Sequence, residues 1–287
     1  MNTFVKIYRR LIRLFFNFFS IRPSSSPYLS IDSFRKLADV VIENQREFNK
    51  FQLENNQILF CKSEFLKKLF NDPRFLLRKE IILISGNSDL NIDNKDFQVP
   101  DNLKHWFCQN CLFNDSRLTT LPIGLENAWW HKNGVISDFN RARAMNFKKN
   151  NFIAYGFNVN TNPAERLLAL RELQKNQHAK KIDCPPYLYK KELRKYKFVA
   201  SPPGNGVDCH RTWEALYLET IPIIIKNNFS NNLNIPGILI IDDWKYLHTL
   251  SKEDLKILYK TKLLEIKNSD LLNFNSWKKM INRLRIQ

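Results

Sequence analysis

Glycine is scarce in this chain, with 7 residues among 287, so each glycine marks a position where the backbone has a special requirement. Long apolar runs are also missing. Near the amino terminus the longest uncharged apolar stretch covers residues 14–21, far below the roughly 20 residues that cross a bilayer. No internal repeat or low-complexity tract is present. These absences exclude repeat and largely disordered proteins, and they leave a folded chain of one large or two small domains.

Acidic residues are outnumbered by basic ones, 28 to 45, which gives a formal net charge of +17. A field of this sign attracts polyanions, including nucleic acids, anionic lipid surfaces and phosphorylated metabolites. Nucleic-acid-binding domains often add a motif to the charge, and the sequence has no zinc-finger spacing, RRM signature or basic-region heptad. We therefore expect phosphorylated ligands or an anionic membrane surface as partners, and no nucleic acid.

Cysteine is thinly spread, with five residues, and the odd number favours a reducing compartment. Cys108 and Cys111 have the spacing of half a zinc site, and His105 and His131 lie nearby in the sequence. The second pair of ligands that zinc sites usually have is missing, so buried structural thiols are the competing interpretation.

The amino-terminal residues predict a basic amphipathic helix. At about 100° per residue, Lys6, Arg9, Arg10 and Arg13 share one side of the helix, and aromatic and aliphatic residues fill the rest. Such a helix can lie in the headgroup region of an anionic membrane, whereas docking on the protein's own core is the alternative. Residues 22–30 are rich in Pro and Ser and predict a linker. We therefore interpret residues 1–30 as a membrane-contacting helix and linker. The expected location is cytoplasmic, on the inner face of the membrane.

The rest of the chain alternates short apolar runs with helical segments and polar loops, which is the pattern of an α/β fold. Residues 31–55 have helical periodicity, and strands follow in both halves. The basic stretch 137–150 predicts the crossing between an α/β domain over 31–145 and a second over 146–287. Alternating strands and helices imply parallel sheets, which bind ligands beyond the carboxyl ends of their strands.

Residues 198–226, "FVASPPGNGVDCHRTWEALYLETIPIIIK", predict a strand, a loop, an amphipathic helix and another strand. Gly204 and Gly206 would let loop amides approach an anion, and Asp208 is the expected N-cap of the helix. Arg211 and Glu214 are three residues apart, so they share one helix face.

A guanidinium and loop amides suit a phosphate. A carboxylate beside a phosphate is repulsive unless it binds something else, and the paired hydroxyls of a ribose meet that condition. The residues therefore favour a nucleoside diphosphate. The alternative is that Arg211 and Glu214 form a surface ion pair, which stabilises a protein by roughly a few tenths of a kcal/mol.

This segment resembles the donor-binding segment of exostosin-like glycosyltransferases and related bacterial and viral sugar transferases. Their pattern is a Pro-Gly loop, then Arg-x-x-Glu-Ala-Leu, then Ile-Pro followed by Ile or Val. The matching residues are Pro203-Gly204, Arg211, Glu214-Ala215-Leu216 and Ile221-Pro222-Ile223.

The resemblance implies two Rossmann-like domains facing a cleft, the GT-B-like arrangement. Residues 31–145 would be the acceptor side and 146–287 would bind the nucleotide-sugar. It places Arg211 on the diphosphate and Glu214 on the ribose. Glu219 departs from the pattern, which often has glycine there, and a left-handed turn would cost a non-glycine residue about 1 kcal/mol.

The predicted donor site extends over both loops of the second domain. It comprises Gly204, Asn205, Gly206, Asp208, His210, Arg211 and Glu214, with Asn160 from the loop 158–163, where a self-contained turn is the alternative.

In the first half, Asp89 is the candidate base that would activate the acceptor hydroxyl, with a helix or turn cap as its alternative role. Glu126 and His131 are weaker candidates. Asp242 and Asp243 lack the spacing of a DxD motif, so we expect no metal and no cofactor besides the donor substrate.

Taken together, the sequence predicts a glycosyltransferase that moves a sugar from a nucleotide-sugar to a glycan or lipid-linked acceptor at the membrane surface. The alternative is a non-catalytic basic protein that binds anionic membrane or nucleic acid through charge. A phosphoryl or sulfuryl transferase is a third possibility, although the P-loop version would need a motif that is missing.

Overall fold

Two parallel five-stranded sheets form the framework of the protein in the computed structural model, which describes residues 3–286. The first sheet has its strands in sequence order, and every neighbouring pair is parallel. Its strands are β1 (Val40–Ile42), β2 (Ile58–Lys62), β3 (Ile81–Gly86), β4 (Leu103–Gln109) and β5 (Leu118–Leu121).

The second sheet has the order β10-β9-β8-β6-β7. Its strands are β6 (Asn151–Tyr155), β7 (Ala179–Lys181), β8 (Tyr196–Ala200), β9 (Ile221–Ile225) and β10 (Leu239–Ile241). From β6 the chain runs first to one neighbour, β7, and then to the other, β8. The order therefore reverses between β6 and β8, and in open α/β sheets the loops beyond such a switch point are where ligands bind.

Twelve α-helices accompany the strands within residues 3–286. They are α1 (Thr3–Phe18), α2 (Ile31–Arg35), α3 (Gln45–Lys50), α4 (Leu66–Leu69), α5 (Pro73–Leu76), α6 (Ile136–Ala144), α7 (Pro163–Lys175), α8 (Pro186–Leu193), α9 (His210–Tyr217), α10 (Asn228–Asn232), α11 (Lys252–Lys267) and α12 (Phe274–Ile286). The predicted α/β class, with two Rossmann-like units and an amino-terminal helix, is confirmed.

One region contains more separate secondary-structure elements than its sequence periodicity predicts. Residues 31–55 were expected to be helical, but they contain strand β1 between the short helices α2 and α3. Strand β1 pairs in parallel with β2, and Ile42 is fully buried. Pairing with a distant segment overrides the local helical pattern, as tertiary contacts often do for short elements.

The expectation of a linker over residues 22–30 is wrong for its second half. Tyr28, Leu29 and Ser30 are buried. The Leu29 amide donates to the hydroxyl of Tyr217 in the second unit (2.8 Å), and its carbonyl accepts from the Leu125 amide in the first (2.8 Å). Residues 28–30 therefore contact both units and do not form an exposed linker between a helix and a domain.

The carboxyl-terminal helix α12 returns to the first unit. The rings of Phe274 and Trp277 contact Phe34 edge to face, at centroid distances of 5.5 and 5.7 Å. Arg285 pairs with Asp39 at 3.1 Å. The boundary predicted at residue 146 thus describes the two sheets, while the last helix packs on the sheet that precedes it in the chain.

Helix α1 contacts the protein through a mixed face that includes Arg9, Arg13 and Phe16, while most of its apolar side faces solvent. Arg9 donates to the carboxylate of Asp138 (2.5 Å) and to the carbonyl of Lys132 (3.0 Å). Phe4 and Phe18 are 78% and 82% exposed. The helix therefore packs on the protein, as the docking alternative expected, although most of its apolar side stays exposed, and contact with a membrane stays a prediction. Among the described helices, none has the length and apolar character needed to cross a bilayer.

Candidate active site in the cleft between the two units

A cavity of about 470 Å³ lies at the switch point, between the loops that follow β6 and β8 and the edge of the first unit. Gly156 follows β6, the segment 204–211 follows β8, and the first unit contributes residues from three loops. Most of the residues predicted from the sequence line this cavity: Asp89, Gly204, Asn205, Gly206, Asp208, His210, Arg211 and Glu214.

Arg211 and Glu214 reach the cavity from the first two turns of α9. The opposite face of the helix buries Trp213 completely, which fixes the rotation of α9. Arg211 Nη2 donates to the carbonyl of Gly156 (3.1 Å), and Glu214 is only 8% exposed. Within residues 3–286 the two side chains form no ion pair with each other. The surface ion-pair alternative is therefore wrong.

The two glycines of the loop serve close packing as well as access to a ligand. A Cβ on Gly206 would lie 2.7 Å from Nδ2 of Asn110, and one on Gly204 would lie 3.1 Å from Nη2 of Arg166. The Gly204 amide donates to the Gly206 carbonyl (3.0 Å), so its expected role as a free anion donor is wrong. Glycine fits both positions because the loop packs closely, at Gly206 against Asn110 of the first unit and at Gly204 against Arg166 of the second.

Asp208 is not the N-cap of α9. The residue at that position is Cys209, which makes no side-chain capping bond. Asp208 is buried, and its carboxylate accepts from the amide of Ile123 (2.8 Å) and from Trp213 Nε1 (2.9 Å). Burial raises its pKa to about 6 against these bonds, which favour the charged form. Since Ile123 belongs to the first unit, Asp208 joins the two units behind the cavity wall.

Two further cations line the cavity, and the sequence analysis missed both. Arg166 in the first turn of α7 is buried, and it donates to the carbonyls of Pro203 (2.7 Å) and Asn158 (2.7 Å). Lys190 on α8 is buried too, with Nζ 4.6 Å from the ring centroid of Phe139. Burial lowers the pKa of Lys190, and Glu214 acts in the opposite direction.

A sequence signal for Arg166 existed. Arg166 follows a strand, a polar loop and a proline at the start of a helix. Arg211 likewise lies at the start of a helix that follows a strand and a loop. Lys190 had no comparable signal, because it lies in the middle of a helix whose pattern gives no hint of a ligand.

Asn160 is exposed in a short 3₁₀ turn, and it is not one of the residues that line the cavity. Asn158 caps this turn by accepting from the Asn160 amide (3.1 Å), and Asn162 caps α7 by accepting from Glu165 (3.3 Å). This arrangement fits the alternative of a self-contained turn. The loop contributes indirectly, since the Asn158 carbonyl holds Arg166.

Asp89 lies on an exposed loop of the first unit, facing the glycine loop across the cleft. Its Oδ2 accepts from Asn205 Nδ2 (3.1 Å), and the neighbouring turn is capped by Ser88, whose hydroxyl accepts from the Leu90 amide (3.0 Å). The cap alternative for Asp89 is therefore not what the structure shows. His210 Nδ1 donates to the Gly124 carbonyl (2.8 Å), which leaves Nε2 available to a ligand.

The weaker base candidates have structural partners. Both carboxylate oxygens of Glu126 accept from Asn133, and one also accepts from the amide of Gly134 (3.2 Å). His131 packs against Tyr8 and Phe16 of α1.

The possible ligands of a metal are spread apart. Cys108 and Cys111 are buried free thiols, and His105 bonds to the hydroxyl of Thr119 (2.8 Å). Asp243 caps the turn that follows it by accepting from the Lys245 amide (2.8 Å). Groups of three or more side chains able to hold a metal do not occur within the part of the chain that the structure describes.

A larger cavity of about 740 Å³ adjoins the first at the carboxyl edge of the first sheet. Asp89, Ile123 and His210 line both cavities, so they stand at the boundary between them. The stacked rings of Trp129 and Trp130, with centroids 4.4 Å apart, form one wall. Carboxylates and amides form another: Glu43, Glu47, Glu64, Asn44, Asn87 and Asn127.

Distant similarities to solved structures were found. One, described as trehalose-6-phosphate from E. coli bound with UDP-2-fluoroglucose, matches with a TM-score of 0.44 and 12% identity, over 79% of this chain and 73% of that one. TarM matches with a TM-score of 0.43 and 10% identity; 80% of this chain covers 55% of TarM. Spinosyn rhamnosyltransferase SpnG complexed with thymidine diphosphate matches with a TM-score of 0.32 and 11% identity, over 79% and 69%.

No known protein family and no curated sequence matches the chain. Similarities to solved structures at this level do not indicate an activity.

Proposed function

We propose that this protein is a glycosyltransferase that uses a nucleotide-sugar donor, with the donor's diphosphate in the cavity at the switch point. The observation that carries the proposal is the convergence of Arg166, Lys190 and Arg211 on one cavity, beside the buried acid Glu214. The other buried acid of the lining, Asp208, is already bonded to Ile123 and Trp213. Guanidinium and ammonium groups suit a diphosphate, and a buried carboxylate suits the paired hydroxyls of a ribose.

The charge arrangement also suits the reaction. In glycosyl transfer an acceptor oxygen forms a bond to the anomeric carbon, and the bond from that carbon to the diphosphate oxygen breaks. The nucleoside diphosphate leaves with the electron pair, so negative charge grows on the diphosphate in the transition state. Cations already fixed around the leaving group stabilise that charge without reorganising, and Arg166 is held by two carbonyls before any ligand binds.

We assign the acceptor to the larger cavity of the first unit. Its aromatic wall can stack against a sugar ring, and its carboxylates and amides can bond to hydroxyls. Asp89 stands where the two cavities meet, and its exposed carboxylate is free to take the proton of an acceptor hydroxyl once Asn205 moves aside. His210, at the same boundary, would contact the donor phosphate.

We further propose that transfer requires no metal, because the cations of the chain face the diphosphate directly. Chelation by EDTA should leave turnover unchanged after metal-free dialysis. Complete loss of turnover in EDTA, restored by a divalent cation, would contradict this part of the proposal.

We also propose that the protein works in the cytoplasm at the inner face of a membrane, held by α1. The exposed side of this helix includes Phe4, Leu11, Phe15 and Phe18, each at least half exposed. An apolar surface of this kind on a basic amphipathic helix suits insertion at the level of the lipid headgroups.

The donor proposal is tested by a panel of nucleoside diphosphates in thermal unfolding, followed by hydrolysis assays across the matching nucleotide-sugars. We expect one nucleoside diphosphate to raise the unfolding temperature and the corresponding sugar donor to be hydrolysed slowly. A charge-only polyanion-binding protein would instead bind any polyanion with steep salt dependence and show no nucleotide preference.

The membrane proposal is tested by flotation with anionic liposomes. Deletion of residues 1–22 and the double variant Phe15→Ser/Phe18→Ser should both lose flotation, and the double variant should keep its unfolding temperature because both side chains are exposed. Flotation equal to the unmodified chain would refute the proposal.

A further inference from the structure

A third cavity, of about 460 Å³, lies between the basic side of α1 and the body of the protein. Five cationic side chains contribute to its lining, Lys6, Arg9, Arg10, Arg13 and Lys132, and most of the lining surface is apolar. Its remaining walls come from residues 130–133 of the first unit and from residues 185–187 of the second. Its lining contains no carboxylate.

Most of this positive charge has no counter-charge in the protein. Arg9 pairs with Asp138, which lies behind the cavity. Within residues 3–286, Lys6, Arg10 and Arg13 pair with no carboxylate. Arg13 instead lies over the ring of Trp130, 5.9 Å from its centroid. Cations gathered around one concave space repel each other, and an anion placed among them removes that repulsion.

The position of this basic cavity, between the exposed face of α1 and the cleft, indicates which kind of anion it binds. On one side lies the exposed apolar face of α1, with Phe4 and Phe18 among its most exposed residues. On the other side lie the two cavities of the cleft: Trp130 also lines the larger cavity, and Asn133 and Pro186 also line the donor cavity. A molecule that runs from a membrane into the cleft would pass through this basic cavity.

We infer that the basic cavity binds the diphosphate that links a glycosyl acceptor to a lipid. Its identification as an acceptor rests on the proposed function, whereas phosphate binding follows from the charges alone. In this arrangement the lipid chain stays beside α1, the phosphate lies among Lys6, Arg10 and Arg13, and the sugar end reaches the cavity lined by Trp130. A diphosphate that joins a lipid to a sugar carries more negative charge than the phosphodiester of an ordinary lipid, and so does the terminal phosphate of a polyprenyl phosphate, so the cavity should prefer both.

The test compares binding of the full chain to two sets of phosphatidylcholine vesicles. One set contains polyprenyl phosphate, and the other contains enough phosphatidylglycerol to give the same surface charge. We expect binding to the first set to be about tenfold tighter. Arg10→Gln/Arg13→Gln should remove this preference. The matched control Arg171→Gln/Arg283→Gln removes two exposed arginines elsewhere and should retain it.

Equal binding of both vesicle sets, or a preference that survives in Arg10→Gln/Arg13→Gln, would overturn the inference. Single-stranded RNA that binds more tightly than either vesicle set, and loses binding in the same variant, would overturn it too. Unfolding temperatures of both variants confirm that they are folded. Thermal protection of the unmodified chain by nucleoside diphosphates, measured alongside, distinguishes failure of this inference from failure of the proposed donor site.

Discussion

Asp208 gives the sharpest prediction about how the two units are joined. Its buried carboxyl group has a pKa raised to about 6 from an ordinary value of 3.8. The folded state therefore holds the proton more tightly than the unfolded state. The stabilisation is fully present below pH 4 and is lost as the pH rises through 6. A difference of this size corresponds to about 3 kcal/mol, since each pKa unit is worth about 1.4 kcal/mol.

Asp208→Asn removes the titrating group while keeping one oxygen for the Ile123 amide. We expect this variant to become more stable relative to the unmodified protein, by about 3 kcal/mol in the free energy of unfolding, as the pH rises from 4 to 7.5. Urea denaturation followed by tryptophan fluorescence at a series of pH values measures this difference. Asp242→Asn, at a side chain 86% exposed, is the control and should give a nearly constant difference. A constant difference for Asp208→Asn would refute the account of the buried carboxyl group.

Three further substitutions test the local geometry. Gly206→Ala places a Cβ 2.7 Å from Asn110 Nδ2, so it should reduce stability by roughly 1–3 kcal/mol in urea denaturation, and unchanged stability would contradict this close contact. Arg166→Gln should weaken nucleoside diphosphate binding in calorimetry by about tenfold, and unchanged affinity would remove Arg166 from the donor site. Glu219 has a φ of +55° and pairs with Arg194. Glu219→Ala should therefore be less stable than Glu219→Gly by about 1 kcal/mol, because only glycine relieves the backbone, and equal melting temperatures would contradict this.

The sequence was sufficient to predict the order of strand, loop and helix in residues 198–226, because apolar runs, prolines and glycines mark these boundaries locally. It was also sufficient to predict that Arg211 and Glu214 share a face, since helix geometry fixes that relation. The sequence predicted an anion-binding amide at Gly204 and an N-cap at Asp208, and both predictions are wrong. Their partners, Arg166 and Ile123, lie 38 and 85 positions away, and only the fold brings them together.

The amino-terminal helix shows the same limit. Helical periodicity at about 100° per residue correctly separated Arg9 and Arg13 from the apolar residues, but it could not show which side of α1 faces the protein. That choice depends on Asp138 and Trp130, which the fold places against the basic side. The burial of Tyr28 and Leu29 could not be predicted from the sequence either, because a proline- and serine-rich stretch has no hydrophobic periodicity.

Binding of a nucleoside diphosphate to Arg211 is the central claim, and calorimetric titration tests it most directly. The unmodified chain and the exposed-arginine control Arg171→Gln should bind one of UDP, GDP or TDP with the same affinity. Arg211→Gln should bind it about 10- to 100-fold more weakly, as expected for the loss of charged hydrogen bonds to phosphate. Equal affinity in Arg211→Gln, or no binding of any nucleoside diphosphate by the unmodified chain, would contradict the claim.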